Sequence, residues 1–384
     1  MNITDIAAKN LHDFFRPYAK ELTRPEMKKC FSMLKGMIQG KTVQLSQIGR
    51  EVQPEVLAKT YAEKVGKSLE SFQKLAGVQL AKGQKMDLEL LLYDSGDHQR
   101  PYAKKLKGVI SIRDGSTGNL YGSGYGLHGL VGKTRDSEYV PLLLERYEEQ
   151  NLSMLAMMKR VIDTLGPDHG ATWVIDRGAD DKKIFNFLLD HHQQFLIRLD
   201  YGGSERLLEV DGEKHRVSVL TAHMKEAGYR KVRLPGRKEE LMLIYFHRRR
   251  YRQPLILLTT LSPKTLKQAI NIAKMYLKRW KIEDYYRFVK TRLDLENMMI
   301  QKTERVDGLL TVILIASAFL MKLEQQKRDC VLDWYYQKWL KQNQICSSWS
   351  ALSRFIQKIF KQWQLIFRTT HSPPIPYQLA LIPL

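Results

Sequence analysis

Within the stretch YLKRWKIEDYYRFVK stand Tyr276, Arg279, Glu283 and Lys290. An α-helix advances about 100° per residue, so Arg279 falls at about 300°, Glu283 at about 340° and Lys290 at about 320° from Tyr276. A phenol, an acid and two cations therefore share one narrow stripe, with Trp280 and Arg287 at its flanks. Ile282, Tyr285 and Val289 fall on a roughly opposite face suited to packing on a sheet. A merely solvated face would have little use for Tyr and Trp among its charges. Two further carboxylates, Asp94 after LELLLY and Asp176 after TWVI, close short apolar runs. In open α/β sheets the functional crevice lies outside the carboxyl ends of the strands, and an acid delivered there by a rigid strand is a mount for a metal ligand. The sequence LLYDSGDHQRPY also offers Asp97; Asp94 is preferred because it follows the apolar run directly, while Asp97 is expected about a turn beyond the strand. Asp180 and Asp181 are expected to cap the next helix, and Asp114 in RDGS to shape a turn.

The elements that must position these residues follow from periodicity. Residues 1–83 read as helical, with apolar residues at three- and four-residue spacing in LHDFFRPYAKEL and PEMKKCFSMLKGMIQG. VQLSQIGREV, with Ser46 as a candidate N-cap, is compatible with a small helix-turn-helix or with a generic bundle. From Asp87 the pattern changes: LELLLYD, GVISIRDGSTGN and GYGLHGLVG predict strands, 151–165 a helix, ATWVIDRGAD a strand ending at Asp176, DDKKIFNFLLDHH a helix and QFLIRL a strand. This alternation predicts an α/β core. LLEVDG, HRVSVLTAH, YRKVRL and LMLIYFHRRRYR predict an inserted β-rich segment, PLILLTTL returns to the core, and one long helix is expected from about Pro263 through Leu295. The predicted boundaries are a helical DNA-binding region at 1–83, the core at 84–199, the insertion at 200–253, the core again at 254–305 and a helical region at 306–384, which either contacts another protein or caps the core. Glu283 follows Asp176 by 107 positions, whereas a helix, a strand and a second helix need roughly 35–45. The surplus is what an insertion would occupy.

The bulk properties narrow the class. Across 384 residues, 62 Lys and Arg oppose 41 Asp and Glu, a net charge of +21 that attracts polyanions such as nucleic acid. Cys30, Cys330 and Cys346 are far apart and no CxxC occurs, which argues against a zinc ribbon or a disulfide frame. The start MNITDIAAKN has no apolar signal stretch. The longest apolar run, 308–320, is too short to span a bilayer and reads as a buried helix, so a cytoplasmic protein with no membrane partner is expected.

The pattern Y-x2-R-x3-E-x6-K, filled by Tyr276, Arg279, Glu283 and Lys290, resembles the signature of the bacterial insertion-sequence DDE transposases that carry a Tyr-Arg-Glu-Lys motif. DRGAD at 176–180 and RPYAKKLKGVISIRDGSTG at 100–118 resemble the blocks around that family's second and first aspartates. The resemblance implies an α/β fold with a ribonuclease-H-like catalytic core interrupted by a β-rich insertion, flanked by helical N- and C-terminal regions. It implies that Asp94, Asp176 and Glu283 bind two Mg²⁺ ions, with Mn²⁺ as a substitute, and that hard cations held by carboxylates clamp an in-line displacement at phosphorus. Arg279, Lys290 and Arg287 would then hold phosphates of the transposon end and Tyr276 the backbone near the cut. Trp280 would stack on a base or pack, and Arg198, Arg206 and the run 247–250 would be further contacts. Double-stranded DNA, as transposon ends and target, and a second copy of the chain in a synaptic dimer are the implied partners, in a bacterial, nucleoid-associated setting. A nuclease or recombinase that does not transpose would need the three acids but not the stripe; an inactive DNA-binding descendant would need neither.

Overall fold

A computed structural model describes residues 3–100, 106–112, 122–148, 150–200, 206–247 and 253–325, together with 337–339, 341–343 and 354–355. Asp114, residues 248–250, Cys330, Cys346 and most of 347–363 lie outside the described residues.

The first segment is helical, as its periodicity requires: α1 (Ile3–Ala19), α2 (Arg24–Gly40), α3 (Leu45–Val52), α4 (Ala58–Phe72) and α5 (Leu75–Ala81). The Thr23 amide at the head of α2 donates to the Glu26 carboxylate at 2.9 Å, which satisfies a donor that the helix start leaves open. Ser46 is not the cap of α3. The start lies two residues earlier, with Gln44 at the N-cap; the Gln44 amide donates to Thr42 Oγ1 and its side chain accepts from Gln47 Nε2.

The core is a mixed α/β structure. Its elements run β1 (Leu88–Gln99), β2 (Ile110–Ile112), β3 (Gly122–Thr134), β4 (Tyr139–Tyr147), α6 (Gln150–Leu165), β5 (Thr172–Ile175), α7 (Lys182–Asp190) and β6 (Phe195–Arg198). They continue as β7 (Leu207–Val210), β8 (Glu213–Arg216), α8 (Val217–Thr221), β9 (Ala227–Val232), β10 (Leu241–Phe246), β11 (Leu255–Thr259), α9 (Leu266–Leu277), α10 (Trp280–Arg292) and α11 (Thr303–Gln325). The main sheet has the order β3-β1-β5-β6-β11-β10-β9, with β2 and β4 both on the outer edge of β3. β1, β5 and β6 are mutually parallel, and the other pairings are antiparallel. WVI and FLI are continuous apolar runs because parallel strands flanked by helices are covered on both faces.

Four sequence expectations change. β1 does not stop at Asp94 but runs to Gln99, held by its ladder to β3, so Asp97 sits inside the strand opposite Gly126. β4 was not anticipated: its Pro141 and its charged Glu145 and Arg146 mask the strand pattern, and an edge position tolerates the proline. The expected insertion is β-rich, but β9 and β10 extend the main sheet through β11, leaving, among the described residues, only the β7-β8 hairpin as a second sheet; HRVSVLTAH turns helical at Val217. The single long helix is two. The Arg279 amide bonds to the Tyr276 carbonyl, Lys281 to Lys278 and Ile282 to Arg279, each three residues back, so the helix tightens into a 3₁₀ turn between α9 and α10.

Strand alternation sorts the core. Leu90, Leu92, Val174 and Leu196 face the layer that holds α10, α11 and the N-terminal helices, while Leu91, Tyr93, Trp173 and Ile175 face α6 and α7. α11 is long and apolar enough to cross a membrane by length and composition, yet it is buried within the first layer, with Val306, Leu309, Leu310, Ile313 and Leu314 fully covered.

Candidate functional site

Register places the two aspartates together. Leu92 lies beside Val174 and Tyr93 beside Ile175 in the parallel β1–β5 pair, and one step further come Asp94 and Asp176. Each is two residues beyond a side chain of the first layer (Leu92, Val174), so period-2 alternation aims both carboxylates at the face covered by α9 and α10. Asp176 follows the last residue of β5 and caps a short 3₁₀ turn over Arg177–Ala179, accepting from the Arg177 amide at 2.6 Å. Asp181 caps α7 as expected, accepting from the Lys183 amide. Asp180 does not; it accepts from the Asp200 amide and pairs with Arg206.

The helix-borne residues reach both acids. The Tyr276 hydroxyl donates to Asp176 Oδ1 at 3.2 Å. Arg279 bridges two carboxylates, with one guanidinium nitrogen 3.0 Å from Asp94 Oδ2 and the other 2.5 Å from Glu283 Oε1. Its side chain is only 7% exposed, against 44% for Glu283, and its Nε is buried with no partner among the described residues. Lys290 lies 3.4 Å from Asp97 and 3.8 Å from Glu296. All four members of the stripe thus turn toward β1 and the end of β5 or toward one another, even though the helix between them is broken.

Burial and like charge act together on Asp94. Burial raises its carboxyl, the Arg279 cation opposes this, and the nearby Asp176 and Glu283 anions raise it again, for a result of about 6. Burial and then Asp176 push the Tyr276 hydroxyl up, so it remains a donor to that carboxylate. For Arg279 the penalty of burial is outweighed by Tyr276, Asp94, Asp176 and Glu283, so its guanidinium is held more firmly protonated than usual.

Not every candidate joins the cluster. Trp280 is 58% exposed at the start of α10 and is not packed. Arg287 is exposed and pairs with Asp284 at 3.2 Å. Arg198 ends β6 close enough to Tyr276 to act on its hydroxyl. Arg206 is occupied elsewhere, ion-paired with Asp180 and lying 4.7 Å over the Phe185 ring. His247 donates its backbone amide to the Glu226 carbonyl beyond β10. One residue was missed: Tyr286, whose buried hydroxyl donates to the carbonyls of Asp94 and Leu127 at 3.1 Å each. The available signal was an aromatic three positions after Glu283 together with glycines inside two strands, where glycine otherwise weakens pairing.

The acids suit a hard divalent cation by donor type, three carboxylates with no competing thiol among the described residues, and by the burial and neighbouring anions that hold Asp94 at about 6. As arranged, however, no three acidic, His or Cys side chains among the described residues are close enough together to ligate one ion, since Glu283 is held by Arg279.

Comparison with known proteins decides the class. The family described as "Transposase DDE domain" matches residues 126–319, half of the chain. This chain belongs to the transposase DDE domain family. The matched span of this transposase-family chain contains Asp176, Tyr276, Arg279, Glu283 and Lys290, and it begins within β3, after Asp94. No curated protein matches the chain. Among solved structures, a cryo-EM structure of the piggyBac transposase synaptic complex with hairpin DNA is similar at a TM-score of 0.43 and 9% identity, over 86% of this chain and 62% of that one. The chain thus spans less than two thirds of the length of that protein.

Proposed function

We propose that this chain is a bacterial insertion-sequence transposase of the Tyr-Arg-Glu-Lys type, which binds the terminal inverted repeats of its element, cuts there and joins the ends to target DNA. One observation carries the reading: Asp94, within β1, and Asp176, just past the end of the neighbouring parallel β5, are engaged by the Arg and Tyr of one helical motif whose Glu meets the same Arg. The strand order β4-β3-β1-β5-β6, an antiparallel meander followed by two parallel strands, supports a ribonuclease-H-like core. The domain boundaries proposed are those of the sequence, with β9 and β10 belonging to the sheet. The net charge of +21 supports a nucleic-acid partner. A synaptic dimer and a cytoplasmic, nucleoid-associated location belong to the same reading.

In this reading Asp94, Asp176 and Glu283 would hold two Mg²⁺ ions, or Mn²⁺ in their place, and the bound ions would supply activation of the attacking oxygen and charge neutralisation at the leaving one. The protein's own part is positional. β1 and β5 hold two carboxylates at one level, and the Tyr276 hydroxyl orients Asp176. Arg279 acts as the counter-cation of Asp94 and Glu283; with ions bound, Glu283 would no longer need it, and its guanidinium would be available to a phosphate of the DNA. Lys290, Arg287, Arg198 and the exposed Trp280 line the approach. The test is incubation of the purified protein with the DNA flanking its gene and Mg²⁺, scored for 3′-OH nicks and hairpins. The wild type should cut at the element ends and Glu283→Gln should not; retained cleavage in Glu283→Gln removes the third acid from the assignment. Cutting without joining would favour the nuclease reading.

A further inference from the structure

The residue that fixes α10 on the sheet is Tyr286. Its ring is buried between β1 and β3, and at two points the strands have no side chain to meet it. A Cβ on Gly96 would lie 2.6 Å from ring atom Cε1, and a Cβ on Gly129 would lie 2.6 Å from the hydroxyl oxygen and 2.8 Å from Cζ. Any larger residue at either position would have to displace the ring, because contacts under 3.0 Å are not tolerated. Gly96 and Gly129 thus form a slot in the sheet, and the Tyr286 hydroxyl reaches through it to the backbone carbonyls of Asp94 and Leu127 on the two strands. Asp94 and Gly129 are direct partners in the β1–β3 ladder, so the slot opens beside the first acid. Tyr286 follows Glu283 by three residues, which puts key and acid on neighbouring positions of one helical face, about 4.5 Å apart along the axis.

We propose that Tyr286 is a positioning residue: seated in the Gly96–Gly129 slot and hydrogen-bonded to the Asp94 backbone, it sets the reach from Glu283 to Asp94 and thereby the metal-binding competence of the three acids. The inference rests on the assignment of those acids in the proposed function. The other ties of α10 to β1, Arg279 to Asp94 and Lys290 to Asp97, run through long side chains at both ends; a hydroxyl tied to the main-chain carbonyl of Asp94 holds the helix to the acid-bearing strand itself.

The test uses the full-length protein and Mn²⁺ as the probe, with binding read by electron paramagnetic resonance, cleavage of the flanking DNA in parallel, and thermal melting as the check on folding. Tyr286→Phe keeps the ring and loses only the hydroxyl. It should stay folded, bind Mn²⁺ roughly threefold to tenfold more weakly and need correspondingly more Mn²⁺ for half-maximal cleavage, in line with one lost hydrogen bond, while DNA affinity is unchanged. Gly129→Ala should lose more, and combining it with Tyr286→Phe should recover part of that loss, because the added methyl meets the hydroxyl first. Gly96→Ala, which meets ring carbon, should not be rescued in this way. Unchanged Mn²⁺ binding in Tyr286→Phe, with Asp176→Asn and Glu283→Gln both impaired, overturns the positioning role alone. If Asp176→Asn and Glu283→Gln bind Mn²⁺ as the wild type does, the acid assignment fails and this inference falls with it.

Discussion

Replacing Arg279 by Gln isolates the counter-cation without emptying the space it fills. The guanidinium is 7% exposed and bonds to Asp94 at 3.0 Å and to Glu283 at 2.5 Å, so solvent does little to screen its loss. Removing one partner of a buried pair costs about 3–5 kcal/mol when the other charge must remain. Two features reduce that here. Glu283 is 44% exposed and can turn to water, and Asp94, already at about 6, can take up a proton. The expected destabilisation of the metal-free protein at neutral pH is therefore about 2–3 kcal/mol, at or below the low end of that range. In a chain of this size that lowers the melting temperature by about 5 °C. The same substitution removes the cation that competes with a divalent ion for Asp94 and Glu283. Differential scanning fluorimetry with and without Ca²⁺, which tests occupancy apart from turnover, should show a larger Ca²⁺-induced rise in Arg279→Gln than in the wild type, while DNA cleavage falls. A variant that melts lower and also responds less to Ca²⁺ would refute the reasoning, because Arg279 would then be organising the acids for the ion and not standing in its place.

Two further outcomes follow from the same electrostatics. The Asp94 carboxyl is held at about 6 against an ordinary 3.8, so the folded protein binds that proton more tightly than the unfolded chain; stability from this group is fully present below about 4 and is lost as pH rises through 6, about 3 kcal/mol in all. Asp94→Asn should accordingly melt higher than the wild type at pH 7.5 in the absence of metal, with the difference vanishing toward pH 4; an equal difference at both pH values would mean that burial of the charge is not what raises Asp94. Asp97→Asn should leave Mn²⁺ binding within about twofold of wild type, a change of about 0.4 kcal/mol, since Asp97 is bound to Lys290 and not to the Arg279 bridge; loss of Mn²⁺ binding in Asp97→Asn but not in Asp94→Asn would reverse the choice of first acid.

Much of the fold was legible because local physics decides it. The N-terminal helices follow three- and four-residue spacing, and TWVI and FLIR read as strands of an α/β core. What could not be read was decided by pairing. The continuation of β1 past Asp94 depends on a ladder to β3 that the polar residues SGDHQ do not announce, and the union of β9 and β10 with the core depends on their meeting β11. Alternation gives the face of a strand, but nothing local says which neighbour it will find.

The stripe on the helix shows the limit differently. The angles assigned to Tyr276, Arg279, Glu283 and Lys290 assumed an unbroken α-helix, and the helix tightens at Lys278 and Arg279. The four residues still converge, because the sheet constrains them more strongly than the helix does. Tyr276 is tied to the strand end of β5, Arg279 to Asp94 within β1, Lys290 to Asp97 further along β1, and Tyr286 seats α10 against β1 and β3. A helical wheel could therefore find the residues while misplacing the axis, since their common orientation is set by their partners on the sheet and only in part by the 100° step. The two strand acids are fixed by neighbouring registers, whereas Glu283 reaches them only through Arg279. Glu283 is thus the acid most exposed to movement and the one whose geometry depends on residues outside the motif. For that reason the glycine slot under Tyr286, and not a fourth carboxylate, is the feature most directly coupled to whether the three acids act as one site.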